Sequence, residues 1–177
     1  LNRMKRKDYV PKMVEQLKED LQLKSSPRKI EAFDISHLGG TNTVASMVSF
    51  FDGKPKKNEY RKYNIKTVEG IDDFASMREV VLRRYSRVKK EGLGFPDLIL
   101  IDGGKGQLSM AVSALRELGL EYITVIGIAK RLEEVFVPGH PDPQNIPKSS
   151  SGLILLRRIR DEAHRFAIEF QRGKRKK

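Results

Sequence analysis

The 177-residue chain contains no cysteine, which excludes disulfide bridges and thiolate metal sites and fits an intracellular setting. No apolar run approaches the roughly 20 residues that a helix needs to cross a bilayer, and no signal-peptide pattern opens the sequence, so no membrane partner is expected. Acidic residues are in short supply: 23 Asp and Glu face 35 Lys and Arg, for a formal charge of +12. Such a bias favours a polyanionic partner. Hydrophobic residues make up 38% of the chain, enough for a core and too many for an intrinsically disordered segment. The length suits one sizeable α/β domain and is short for two. A leading Leu1 and a tail ending Arg172-Gly173-Lys174-Arg175-Lys176-Lys177 are expected of a fragment of a longer protein.

Periodicity sets the expected order of elements. Val10, Met13, Val14, Leu17 and Leu21 recur at helical spacing behind Pro11, where proline is tolerated near a helix start. A loop through Ser25, Ser26 and Pro27 leads to an apolar strand, Ile30 to His37. Thr43 to Phe51 reads as a second strand, Asp52-Gly53 as a hairpin turn and about Lys57 to Ile65 as a third strand. Phe74, Met77, Val81, Tyr85 and Val88 then mark a helix that begins at Asp72-Asp73, and Asp97 to Asp102 is a buried-type strand. A helix through Leu108 to Leu118, a strand at Ile123 to Ile128, an exposed excursion from Pro138 to Gly152 and a basic helix from about Ser151 to Gln171 complete the chain. Three antiparallel strands followed by alternating helices and strands predict an α/β fold, a mixed five-stranded sheet flanked by helices.

Two aspartates stand at the polar ends of apolar strands, Asp34 in the first and Asp102 in the fourth. An ionised carboxylate in such a setting is costly unless a cation or hydrogen bonds satisfy it. Each alone has a plain alternative: a strand-end Asp bonded to backbone for Asp34, and an Asp-Gly-Gly turn for Asp102. If the first and fourth strands are neighbours, the pair lies side by side at one edge, and holding divalent metal becomes the better reading. Asp72 and Asp73 suit a helix N-terminus, and one of them can serve as the cap while the other faces the site. His164 lies beside the apolar face of the last helix and is either a surface histidine or a metal ligand or proton carrier. His37 could line the rim of the site; His140, in the excursion, is a weaker candidate.

The loop Gly103-Gly104-Lys105-Gly106-Gln107 lacks the Walker A spacing, yet its backbone N–H groups and Lys105 suit a phosphate. From Arg157 to Lys177 nine basic residues face three acidic ones, and Tyr60 to Asn64 forms a second basic and aromatic cluster. Arg157, Arg160, Lys105, Tyr63 and Asn64 are the candidate contacts to a nucleic-acid backbone, with binding that is mainly electrostatic and salt-sensitive.

Several blocks carry a resemblance to a known family. Ile30-Glu31-Ala32-Phe33-Asp34-Ile35-Ser36-His37, Thr43-Val44-Ala45-Ser46, Tyr60-Arg61-Lys62-Tyr63-Asn64-Ile65 and Asp72-Asp73-Phe74 resemble successive segments of UvrC, the nuclease subunit of bacterial UvrABC excision repair. The resemblance continues through Leu100 to Gln107, Ala129-Lys130, Val135-Phe136 and Arg160 to Phe166. It implies the C-terminal endonuclease domain, with a ribonuclease H-like fold, Mg²⁺ or Mn²⁺ as cofactor and incision of damaged double-stranded DNA 5′ to the lesion. The family's metal-binding and catalytic aspartates fall on Asp34, Asp73 and Asp102, which favours Asp73 over Asp72, and its catalytic histidine falls on His164. Residues 1–177 would then be one endonuclease domain, with a helix and loop over 1–27 and a basic tail or linker over 171–177. A cytoplasmic bacterial location and a UvrB–DNA complex as partner follow from the same likeness. No GIY-YIG nuclease domain, UvrB-binding segment or helix-hairpin-helix pair is visible, so weak, sequence-independent nicking is expected. A nucleic-acid binding module with a structural acid cluster, or a resolvase or transposase of the same fold, are the competing readings.

Overall fold

A computed structural model describes residues 9–37 and 42–175, with side chains to residue 169. The strands β1 (Lys29–His37) and β2 (Thr43–Phe51) form a long antiparallel pair. After Asp52-Gly53 the chain turns back as β3 (Lys54–Pro55), with Pro55 at a position where no N–H is needed and the following Lys56 N–H still bonded to the Ser49 carbonyl of β2 at 2.7 Å. A tight turn over Lys57–Glu59 follows, and β4 (Arg61–Asn64) then rejoins β2 antiparallel. The third expected strand is therefore shorter than about Lys57 to Ile65.

The strand β5 (Leu98–Asp102) lies parallel to β1, and β6 (Thr124–Ile128) lies parallel to β5. A two-residue strand, β7 (Val135–Phe136), closes antiparallel on β6. All five expected strands are present, and β3 and β7 bring the mixed sheet to seven. The expected neighbourhood of Asp34 and Asp102 follows from the β1–β5 pairing.

Helices cover both faces, which is why β2 and β5 are almost continuously buried. On one side, α2 (Asp73–Glu91) and α3 (Lys105–Glu117) place Met77, Tyr85, Leu108 and Leu115 over Phe33, Ile99 and Ile101. On the other, α1 (Lys12–Asp20) and α4 (Ser151–Arg175) place Val14, Leu17, Leu156 and Ile159 over Ile30, Ala32, Leu98 and Leu100. Alternation along β1 and β5 thus sorts side chains by layer: even-numbered residues face α4, odd-numbered ones face α2. The excursion before α4 carries no helix or strand between Val137 and Ser150 and is largely exposed, as expected.

One charged group interrupts the α2 side of the core. Glu31 is fully buried, accepts a hydrogen bond from the Tyr85 hydroxyl at 2.6 Å and pairs with Arg84 at 2.9 Å. Nothing in the periodicity marks it, because Glu31 sits where a strand residue would otherwise be apolar.

Candidate active site

The site stands where β5 ends at Asp102; Asp34 does not end its strand as expected, because pairing with β2 carries β1 on to His37. The register of β1 and β5 pairs Phe33 with Ile101, so the next residues of the two parallel strands, Asp34 and Asp102, emerge side by side. Both are even-numbered and lean toward α4. Asp34 is 4% exposed, and its Oδ2 has no hydrogen-bond partner among the described residues. Burial and then contact with the Asp102 carboxylate push the Asp34 carboxyl up to about 8; Lys130 pulls it down, and Asp73 adds a further push. Two carboxyl groups so placed must share a proton or take up a cation.

The other two expected members come from opposite layers. His164 projects from α4 with its side chain half exposed, Nδ1 lying 3.9 Å from Asp34 Oδ2, too far for a hydrogen bond. Asp73 opens α2 and is held by His37, whose Nε2 lies 2.7 Å from Asp73 Oδ1. Its neighbour Asp72 serves as the cap, accepting from the Ala75 N–H at 3.0 Å. The fold therefore brings Asp34 and Asp102 into contact and sets His164 and Asp73 around them. Among the described residues no three His, Asp or Glu side chains converge tightly enough to enclose an ion unaided.

Lys130 is the residue that pattern reading passed over. Asp102 pairs with Ile128 in β6, so Lys130, two residues on, leaves the sheet at the same edge. A signal was available: in parallel sheets, groups just past the strands' carboxyl ends line the site. The adjoining loop is packed tightly by glycine. A Cβ at Gly127 would lie 2.8 Å from the Gly103 carbonyl, and one at Gly106 would lie 2.1 Å from the Phe74 ring. Phe74, next to Asp73, is nonetheless half exposed. Lys105 begins α3, and its Nζ donates to the Pro141 carbonyl at 2.8 Å.

The remaining candidates are dispersed. Arg157 and Arg160 both bind Glu133, at 3.1 and 3.0 Å, and Arg157 also donates to the Lys148 carbonyl at 2.8 Å. Glu133 and its neighbour Leu132 have φ of 51° and 67°, an unfavourable conformation for these residues that the two arginines help to hold. Tyr63 is half-buried on β4 under the Arg83 guanidinium, 5.3 Å from the ring centroid. Asn64 is exposed, and its carbonyl accepts from Arg83 at 2.7 Å. His140 is exposed in the excursion and takes no part in the acid cluster.

Residues 18–168 match the family described as "UvrC RNAse H endonuclease domain". A UvrABC system protein C from Christiangramia forsetii is 56% identical over 170 residues, which is 96% of this chain and 28% of that protein. Its counterpart from Methanococcus maripaludis is 57% identical over 164 residues, 93% of this chain and 31% of that protein. The chain thus spans about three-tenths of the length of these relatives. Among solved structures, an endonuclease V from Bacillus subtilis aligns with 89% of this chain and 91% of its own at 14% identity and a TM-score of 0.44, too distant to speak to chemistry.

Proposed function

Because the chain belongs to the family of UvrC ribonuclease H endonuclease domains, we propose that it hydrolyses DNA phosphodiesters with a divalent metal, nicking the damaged strand 5′ to a lesion. The observation that carries this reading is the buried Asp34 carboxylate, set against Asp102 with an oxygen that no described group bonds. A donor set of two facing carboxylates is chemically suited to a hard cation, Mg²⁺ or Mn²⁺. Bound there, the ion would polarise the scissile phosphate and lower the pKa of an attacking water.

The chain's own residues divide the remaining work. Asp34 and Asp102 hold the cation, and Asp73 contributes from the α2 side. His164 is open to solvent beside Asp34 and can exchange a proton with the oxygen that leaves the phosphate. Lys130 offers a positive charge at the same edge, where a phosphate approaching two carboxylates needs one. Lys105 and the N–H groups at the start of α3 extend that attraction along the strand. The Tyr63–Asn64 strand and the Arg157–Arg160 face are assigned to the flanking duplex. In a bacterial cytoplasm a UvrB–DNA complex would deliver the substrate, a partner in keeping with the relatives' name, UvrABC system protein C.

The test is plasmid nicking in Mg²⁺ or Mn²⁺ against a chelator control, with DNA binding measured in parallel. Asp34→Asn and Asp102→Asn should reduce cutting to background and leave binding intact. Binding without any metal-dependent cutting by the unmodified chain would favour the binding module. Preference for a branched over a damaged duplex would favour the resolvase reading.

A further inference from the structure

We propose that His37 is a positioning residue for Asp73, holding that carboxylate in the orientation in which it serves the metal site. The inference rests on the reading that Asp73 belongs to that site. His37 is the last residue of β1 and pairs in register with Thr43, the first residue of β2. It lies three residues beyond Asp34, so strand alternation turns it to the opposite layer, toward α2. One strand end thus presents a carboxylate toward α4 and an imidazole toward α2.

The hydrogen bonds on the ring give it a direction. His37 Nε2 lies 2.7 Å from Asp73 Oδ1, and Nδ1 lies 3.1 Å from Thr43 Oγ1. An ionised carboxylate only accepts, so Nε2 carries the proton and donates it to Asp73; in the neutral ring Nδ1 then accepts from the Thr43 hydroxyl. The Thr43 bond selects the tautomer that can reach Asp73. This occupies Oδ1 and leaves Oδ2 for a cation. Without the tie, a carboxylate at the first turn of a helix, 42% exposed at the side chain, is free to sample other rotamers in water. Partners that orient a metal-binding carboxylate or imidazole matter nearly as much as the ligand itself.

The experiment is calorimetric titration of the chelator-stripped protein with Mn²⁺, with no DNA and no turnover in the readout. His37→Ala should weaken Mn²⁺ binding by about 10- to 100-fold. His37→Gln, which retains an N–H donor, should recover part of the loss. Thr43→Val should give a smaller loss than His37→Ala, and Thr43→Ser none. Asp73→Asn should also weaken binding, and adding His37→Ala to it should cost little more, because both changes remove one interaction. If Asp73→Asn weakens Mn²⁺ binding while His37→Ala and His37→Gln do not, the positioning role is overturned and the metal site stands. If Asp73→Asn itself binds like the unmodified protein, the assignment of Asp73 has failed, and His37 falls with it. A lowered unfolding temperature for His37→Ala with unchanged affinity would mark the tie as purely structural and overturn the proposal.

Discussion

At the scale of single residues, the cost of the site is concentrated in Asp34. A carboxyl that is 4% exposed and faces another carboxyl binds its proton more tightly in the folded protein than in the unfolded chain, at about 8 against an ordinary 3.8. Between those two values the folded state holds more protons than the unfolded one, so metal-free stability falls as pH rises through that window and levels off above it. Asp34→Asn keeps the shape and removes the charge. It should match the unmodified protein near pH 4 and exceed it by a few kcal/mol near pH 8. Urea unfolding in chelator at both pH values measures this; parallel pH profiles for the two proteins would count against a strained acid pair. The same change abolishes the proposed cutting, so stability and activity move in opposite directions at one position. That conflict between local stability and the rest of the chain was legible in the sequence as a charged residue interrupting an apolar strand.

At the scale of elements, α2 is joined to β1 by charge as well as by packing. Glu31 is fully buried and accepts from Tyr85, while the nearly buried Arg84 pairs with it. Removing one partner of such a pair leaves an unpaired buried charge, whereas removing both can be close to neutral. Arg84→Met should therefore destabilise the fold by about 3–5 kcal/mol, and adding Glu31→Gln should recover a large part of that, as read from urea midpoints. Equal losses in the single and double variants would show that the arginine acts through its packing alone. The long elements were readable because period-two and helical patterns repeat over many residues. The two-residue strands β3 and β7 were not, because each exists only through pairing with a neighbour that is itself placed by the rest of the sheet. Glu31 escaped for a related reason: besides Lys29 at 3.8 Å on its own strand, its hydrogen-bonded cation and its phenol both arrive from α2, more than fifty residues along the chain.

At the scale of the whole molecule, the net charge of +12 is unevenly available. Arg157 and Arg160 are engaged by the Glu133 carboxylate, whereas Lys105, exposed at the start of α3, donates to the neutral Pro141 carbonyl and keeps its charge uncompensated by that contact. Affinity for plain duplex should fall linearly with the logarithm of salt concentration. Lys105→Ala should lower affinity and reduce the magnitude of that slope by about one. An unchanged slope in a fluorescence-anisotropy salt series would remove Lys105 from the binding surface. Among the described residues no helix is long and apolar enough to span a membrane, in keeping with the absence of such a run from the sequence.

The sequence by itself determined the order of the principal strands and helices, the placement of Asp34 and Asp102 on apolar strands, and the basic character of the chain, since each is written in local periodicity or composition. Only the tertiary structure decided that β1 and β5 run parallel in a register that sets those two carboxylates together. It also decided that Asp73 hangs from His37, that Lys130 shares their edge, and that two of the candidate DNA-binding arginines hold a strained turn. These contacts join residues dozens of positions apart. A one-residue change of strand register would turn each side chain to the other layer, and local pattern does not specify which register the packed core selects.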